Sequence, residues 1–141
     1  MMINGVVFNK LQALDRTLVE LRSLGEVSPE RMRHDWLVWR AIERDIQVLV
    51  EIVIDVCQRV LSLAGQTPAT NAGEAVERCI YLGALSDNDA YRNMVQFRNF
   101  IVHRYDRVDV AILADVVNHR LSDFDQFKHE ILAYVQQQDN N

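Results

Sequence analysis

The stretch Ala41-Ile42-Glu43-Arg44-Asp45-Ile46-Gln47-Val48-Leu49-Val50-Glu51-Ile52-Val53-Ile54-Asp55-Val56-Cys57-Gln58-Arg59-Val60-Leu61-Ser62-Leu63 decides the fold. It contains neither glycine nor proline, and its apolar residues fall on most sides of a 3.6-residue helix. A helix of that kind is stable in water only when several other elements cover it, so it must be central. Its polar residues still form a narrow stripe, Gln47, Glu51, Asp55 and then Gln58 or Arg59, at steps of four, four and three or four. Such a stripe is either a solvated edge or one wall of a paired groove, with Glu51 or Asp55 facing a basic group.

Working outward, the same periodicity finds the partners. Val7, Leu11, Leu14, Leu18 and Leu21 line one face of a first helix that Gly25 can stop. Ser28-Pro29-Glu30-Arg31 reads as an N-cap with proline at the first helical position. The second helix is expected from Pro29 to about Leu63, with a bend or break near Arg33–Trp36. Ala64–Thr70 is a loop, and Asn71 caps a short third helix over Ala72–Leu82 that Gly83 ends. Ser86-Asp87-Asn88-Asp89 offers the next cap, for a helix from Ala90 to about His103. Val108-Asp109 opens a last helix, capped by Asp109 and carrying Val116, Leu121, Phe124 and Ile131 inward. The expectation is an all-α fold, an antiparallel bundle of about five helices in a single domain over residues 1–141, frayed at 1–5 and 136–141.

Composition agrees with that frame. The chain has 141 residues, 49% hydrophobic and 25% charged, with 5 Gly and 2 Pro. It is long enough to bury a core and too poor in breakers for a many-turned β fold. Acids interrupt the strongest apolar run twice, so no membrane span is expected. Met1–Gly5 lacks the plan of a signal peptide. Cys57 and Cys79 lack ligand-like spacing and read as reduced core residues, as expected of a cytoplasmic protein. A net charge of -5 argues against a nucleic-acid partner, but the distribution points the other way. Arg92, Arg98, Arg104 and Arg107 stand against one acid, Asp106, a local excess of +3. Arginine forks suit phosphate, although arginines also pair with acids across helices.

The chemistry is concentrated in Gln96-Phe97-Arg98-Asn99-Phe100-Ile101-Val102-His103-Arg104-Tyr105-Asp106-Arg107. Arg98 is a fixed cation, His103 is of the type that titrates nearest neutrality, and Tyr105 brings a phenol. Asn99 and His103, four residues apart, share a helix face, whereas Arg98 and His103 lie about 140° apart. They converge only if the helix ends near His103 or the long arginine stem swings round. No metal-ligand spacing, phosphate-cradling glycine loop or serine elbow accompanies them. What remains possible is charge neutralisation at a phosphate by Arg98 and proton transfer by His103. That pair suits RNA cleavage, in which the substrate's own 2′-hydroxyl is the nucleophile. A histidine at a helix C-terminus can equally be a dipole contact.

Arg98-Asn99-Phe100-Ile101-Val102-His103-Arg104-Tyr105 resembles the Arg-x4-His-x-Tyr signature of HepT, the toxin branch of the HEPN-domain proteins. The amphipathic first helix, the apolar second helix with Glu51 and Asp55, the short third helix and the closing Val108-Asp109 helix are similar as well. The resemblance implies a homodimeric HEPN bundle whose two motifs face each other, and metal-independent RNA cleavage with no cofactor. It places catalysis on Arg98 and His103 and substrate orientation on Asn99; Arg104 beside them either crowds the turn or adds a phosphate contact. It also implies a nucleotidyltransferase antitoxin of the MNT type as partner, in a larger hetero-oligomer, which transfers AMP onto Tyr105. Glu51 and Asp55 are candidates for supporting positions behind the motif. Arg104 departs from the family, where a small residue is common. The other reading is a non-catalytic helical partner that binds or regulates a nucleotidyltransferase, and the acidic net charge leans that way.

Overall fold

The computed structural model describes residues 5–103 and 107–140. Among them every regular element is a helix: α1 (Gly5–Arg22), α2 (Pro29–His34), α3 (Trp36–Leu63), α4 (Ala72–Leu82), α5 (Asp89–His103), α6 (Val110–Asp115) and α7 (Leu121–Asp139). A π-helical turn, Val116–Arg120, joins α6 to α7. The all-α expectation holds. The expected second helix is divided, and the break falls inside the anticipated interval, at Asp35. Its short carboxylate competes for backbone donors, as aspartate does outside helix interiors. The Asp35 N–H closes α2 onto the Met32 carbonyl at 3.3 Å. Its side chain then opens α3 by accepting from the Val38 N–H at 3.3 Å.

The other punctuation follows the sequence. Ser28 accepts from the Arg31 N–H at 3.1 Å, Asn71 from the Glu74 N–H at 2.8 Å, and Asp109 from the Ala111 N–H at 2.7 Å. Each cap satisfies a donor that a bare helix end would leave without a partner. Gly83 ends α4 at φ +88°, where a side chain would be strained.

α3 is the central helix, in contact with α1, α2, α4, α5 and α6. Ile42, Ile46, Leu49, Val53, Val56, Cys57 and Leu61 are all sealed from solvent, which explains why the stretch had to be apolar on several sides. Val7, Leu11, Leu14, Leu18 and Leu21 bury the expected face of α1. Cys57 and Cys79 are free and buried, and the Cys79 thiol donates to the Cys57 carbonyl at 3.4 Å. Asn118, in the π-helical turn, binds the Val27 backbone twice: it accepts from the N–H at 2.9 Å and donates to the carbonyl at 2.7 Å. That stitch ties the segment after α1 to the last helix. No helix of the described residues is long and apolar enough to cross a membrane.

Candidate functional site

α5 carries the motif and is anchored by its inner face, where Tyr91, Met94 and Val95 are buried. The Tyr91 ring meets Phe127 of α7 edge-on, with centroids 5.9 Å apart. Arg98 lies on the flank of that inner face, turned toward α3. Its Nε donates to Glu51 Oε1 at 3.1 Å, with the two side chains 31% and 37% exposed. Its Nη1 reaches Asn99 Oδ1 at 3.5 Å, a weak contact at that length. Of the two readings of the α3 stripe, Glu51 therefore belongs to the paired groove.

The rest of the stripe divides. Asp55 pairs with Lys10 of α1 at 3.2 Å, away from Arg98. Gln58 holds the loop after α3, accepting from the Ala69 N–H at 3.1 Å and donating to its carbonyl at 3.3 Å. The expected basic excess also shrinks. Arg92 is held by Glu77, Asp87 and Asp89 at 2.7, 2.7 and 2.9 Å. Hydrogen bonds to those three carboxylates raise its pKa further, Glu77 first. Arg92 is thus a structural cation, while Arg98 keeps a partly open fork.

His103 is the last residue of α5 and is exposed, as are Asn99 and Val102. In one chain Arg98 is drawn toward α3, whereas the face bearing Asn99 and His103 opens to solvent. Arg104 and Tyr105 lie outside the described residues. Beyond them the backbone is clamped. The Val108 N–H donates to Glu43 Oε2 at 2.7 Å, and Trp39 Nε1 donates to the Val108 carbonyl at 3.0 Å. The Arg107 guanidinium sits 5.9 Å from the Trp36 ring centroid and 5.3 Å from that of Trp39. Both distances are within cation–π range. Glu43, Trp36 and Trp39 were not singled out by sequence reasoning. Two tryptophans three residues apart on one helix were the visible signal, but nothing local connects them to Arg107.

A cavity of about 340 Å³ lies between α3, α5 and the last helix, lined by Ile46, Val50, Phe97, Phe100, Ile112 and Phe124. It is apolar, on the side of α5 turned away from Asn99, and Asp115 and Arg120 at its rim pair at 2.7 Å. Among the described residues no group of three His, Cys, Asp or Glu side chains is placed to hold a metal ion. The arrangement around α5 offers a cation oriented by a carboxylate, an accessible imidazole and an adjoining amide. Together they can neutralise a phosphodiester and move a proton.

Residues 14–131 match the family described as ribonuclease HepT-like. A curated relative, the mRNA nuclease HepT of Shewanella oneidensis, is 26% identical over 137 residues, covering 93% of this chain and 99% of its own. Two solved structures share the fold. The tri-AMPylated Shewanella oneidensis HEPN toxin, in complex with MNT antitoxin, superposes with a TM-score of 0.81 at 21% identity, covering 92% of this chain and 98% of that one. A toxin–antitoxin structure with AMP-PNP also gives 0.81, at 20% identity, covering 92% and 99%.

Proposed function

We propose, from the premise that the chain belongs to the ribonuclease HepT-like family, that it is the toxin of a toxin–antitoxin pair. In this reading it is a metal-independent endoribonuclease, folded as one domain and working in the cytoplasm. An MNT-type nucleotidyltransferase silences it by adding AMP to Tyr105. The observation that carries the reading is the arrangement on α5: Arg98 oriented by Glu51 at 3.1 Å, with His103 open at the helix end.

The chemistry uses the substrate's own nucleophile. The 2′-oxygen of RNA attacks the adjacent phosphorus, the bond to the 5′-oxygen breaks, and a 2′,3′-cyclic phosphate and a 5′-hydroxyl result. Arg98 offsets the charge that builds on the non-bridging oxygens. His103 moves the proton, at the leaving oxygen or the attacking hydroxyl. Asn99 and Arg104 hold the phosphodiester in place.

Because Arg98 and His103 point along different faces of α5, about 140° apart on an ideal helix, one chain presents only half of a convergent site. Two copies related by a two-fold axis along α5 and the Glu51 flank of α3 supply the other half. The homodimer is therefore part of the reading, within a larger assembly with the antitoxin.

One observation favours a second reading, a non-catalytic partner of a nucleotidyltransferase: Glu51 already neutralises part of the Arg98 charge. The test is cleavage of RNA by the purified chain in EDTA, beside Arg98→Ala and His103→Ala, together with growth of cells expressing the chain alone. Cleavage that survives chelation and is lost in both variants supports the nuclease. Cleavage that persists undiminished in the variants would falsify it, and a folded chain that neither cuts RNA nor slows growth selects the second reading.

A further inference from the structure

α3 begins with a surface that the cleavage reading does not use. Trp36 is 57% exposed although it is among the largest apolar side chains of the protein. Its ring is backed by the Arg107 guanidinium at 5.9 Å, which also reaches Trp39 at 5.3 Å. Trp39 is in turn fixed by its hydrogen bond to the Val108 carbonyl at 3.0 Å. The Trp36 ring is thus exposed yet held by a clamped backbone segment. Arg40 and Arg44 follow at four-residue steps, and Gln47 and Glu51 continue the same side of the helix. Between Trp36 and Arg44 the only acid is Glu43, which is turned onto the Val108 N–H at 2.7 Å. Among the described residues Arg40 has no ion-pair partner.

This side of α3 leads to the motif. It starts at the Trp36–Arg107 contact and ends at the Glu51–Arg98 pair, about 22 Å further along at 1.5 Å per residue. The chain meets α3 at Arg98–Glu51 and again at Val108–Glu43, and His103 lies between those contacts in sequence. An aromatic plane held by a guanidinium, with further arginines along one line, matches unpaired nucleic acid. A base stacks on the ring while its phosphates meet the arginines. An apolar protein segment laid over the ring would strip water from Arg40 and Arg44 without giving them partners.

We propose that Trp36, backed by Arg107 and flanked by Arg40, is a stacking platform for an unpaired RNA base next to the cleavage site. The platform selects single-stranded over paired RNA, because a base inside a duplex cannot offer its face. The proposal deepens the nuclease reading and rests on it for the choice of RNA.

The experiment measures fluorescence anisotropy of an end-labelled 2′-O-methyl oligonucleotide, which has no attacking hydroxyl and stays intact on the wild-type chain. The probe is used unpaired and annealed to its complement. Trp36→Ala is expected to weaken binding of the unpaired probe about five- to a hundredfold, and Trp36→Phe less. Duplex affinity changes less than about twofold. Arg40→Gln lowers the slope of log affinity against log salt by about one. Trp36 is exposed, so circular dichroism of the variants should match wild type.

Unchanged affinity of Trp36→Ala, equal loss on single strand and duplex, or no binding of RNA by wild type each overturns the platform. Loss of antitoxin binding by Trp36→Ala with RNA binding intact also overturns it and assigns the face to a protein. Binding that behaves as expected in a chain that cleaves no RNA upholds the platform and removes only the nuclease reading.

Discussion

Glu51 holds Arg98 through a single Nε–Oε1 bond of 3.1 Å, which leaves part of the guanidinium fork open. Both side chains remain partly exposed, at 31% and 37%, so solvent screens the pair and its contribution to stability is about 1 kcal/mol or less. Its larger effect is orientation. Glu51→Gln should therefore keep the melting temperature within a few degrees of wild type. It should lower the rate of RNA cleavage about ten- to a hundredfold through misplacement of Arg98. A thermal melt and a cleavage time course on the same preparation separate the two effects, and full activity in the variant would count against an orienting role.

Arg98→Ala should cost about 10²- to 10³-fold in cleavage, the range for removing one stabilising donor from a reacting centre. His103→Ala should cost about 10²- to 10⁴-fold, as expected for a general acid or base. The two residues sit on different faces of α5, so a mixture of the two single variants is informative. If dimers place Arg98 of one copy beside His103 of the other, co-expressed variants recover part of the activity. No recovery would place each site within one chain.

Tyr105→Phe keeps the ring and deletes the hydroxyl that would attack the α-phosphate of ATP, releasing pyrophosphate. The variant should fold, cut RNA and slow growth, yet escape the nucleotidyltransferase. Intact-mass measurement after incubation with the antitoxin and ATP checks this: AMP-sized additions are expected on wild type and none at this position on the variant. Equal labelling of both would refute the assignment.

Asp45, on α3, has its carboxyl pushed up to about 6, first by burial and then by the charge and hydrogen bond of Glu20 on α1. The folded protein thus holds this proton more tightly than the unfolded chain does. Its contribution to stability is full below about pH 4 and is lost as pH rises through about 6. At neutral pH two carboxylates then face each other, a penalty that water screens to about 1 kcal/mol or less. Asp45→Asn should raise the melting temperature at pH 7 by a few degrees and lose that gain at pH 4. An equal gain at both values would assign the effect to packing.

Asn118→Ala removes both hydrogen bonds to Val27 and leaves a buried backbone donor and acceptor without partners. The cost should be about 1–3 kcal/mol, seen as a lower urea midpoint with an unchanged slope. Cleavage per folded molecule should stay the same, because the stitch lies outside the α5 motif.

How far the site was legible in the sequence differs by residue. Arg98, Asn99 and His103 stood out because unusual polar types sit at fixed spacing inside an apolar run. The helical period also gave their relative directions on α5. Glu51 was one of two equal candidates: Glu51 and Asp55 are the same kind of residue one turn apart. Which of them met Arg98 depended on the axial offset between α3 and α5, and that offset is set by side-chain packing 47 positions apart in sequence. The same offset between α1 and α3 gave Asp55 to Lys10. The local excess of arginine overstated the open charge for a related reason, since the acids that hold Arg92 include Glu77 on α4.

Helix type, order and the capped ends were determined by the sequence alone. The single last helix expected from Val108 is instead divided into α6 and α7, and α1 and α7 reach into the tails expected to fray, to Gly5 and Asp139. Apolar period, caps and left-handed glycine are contacts within a few residues, and they act whatever the rest of the chain does. That α3 would be central also followed, because no other arrangement covers so much apolar surface on one helix. Tertiary structure alone decided which surfaces meet. It turned Arg107 onto Trp36 and Trp39, drew Val108 against Glu43, and inserted the π-helical turn that lets Asn118 reach Val27. Each joins positions far apart in the chain. Their geometry depends on how all the helices pack at once, a collective property that no local stretch of residues encodes.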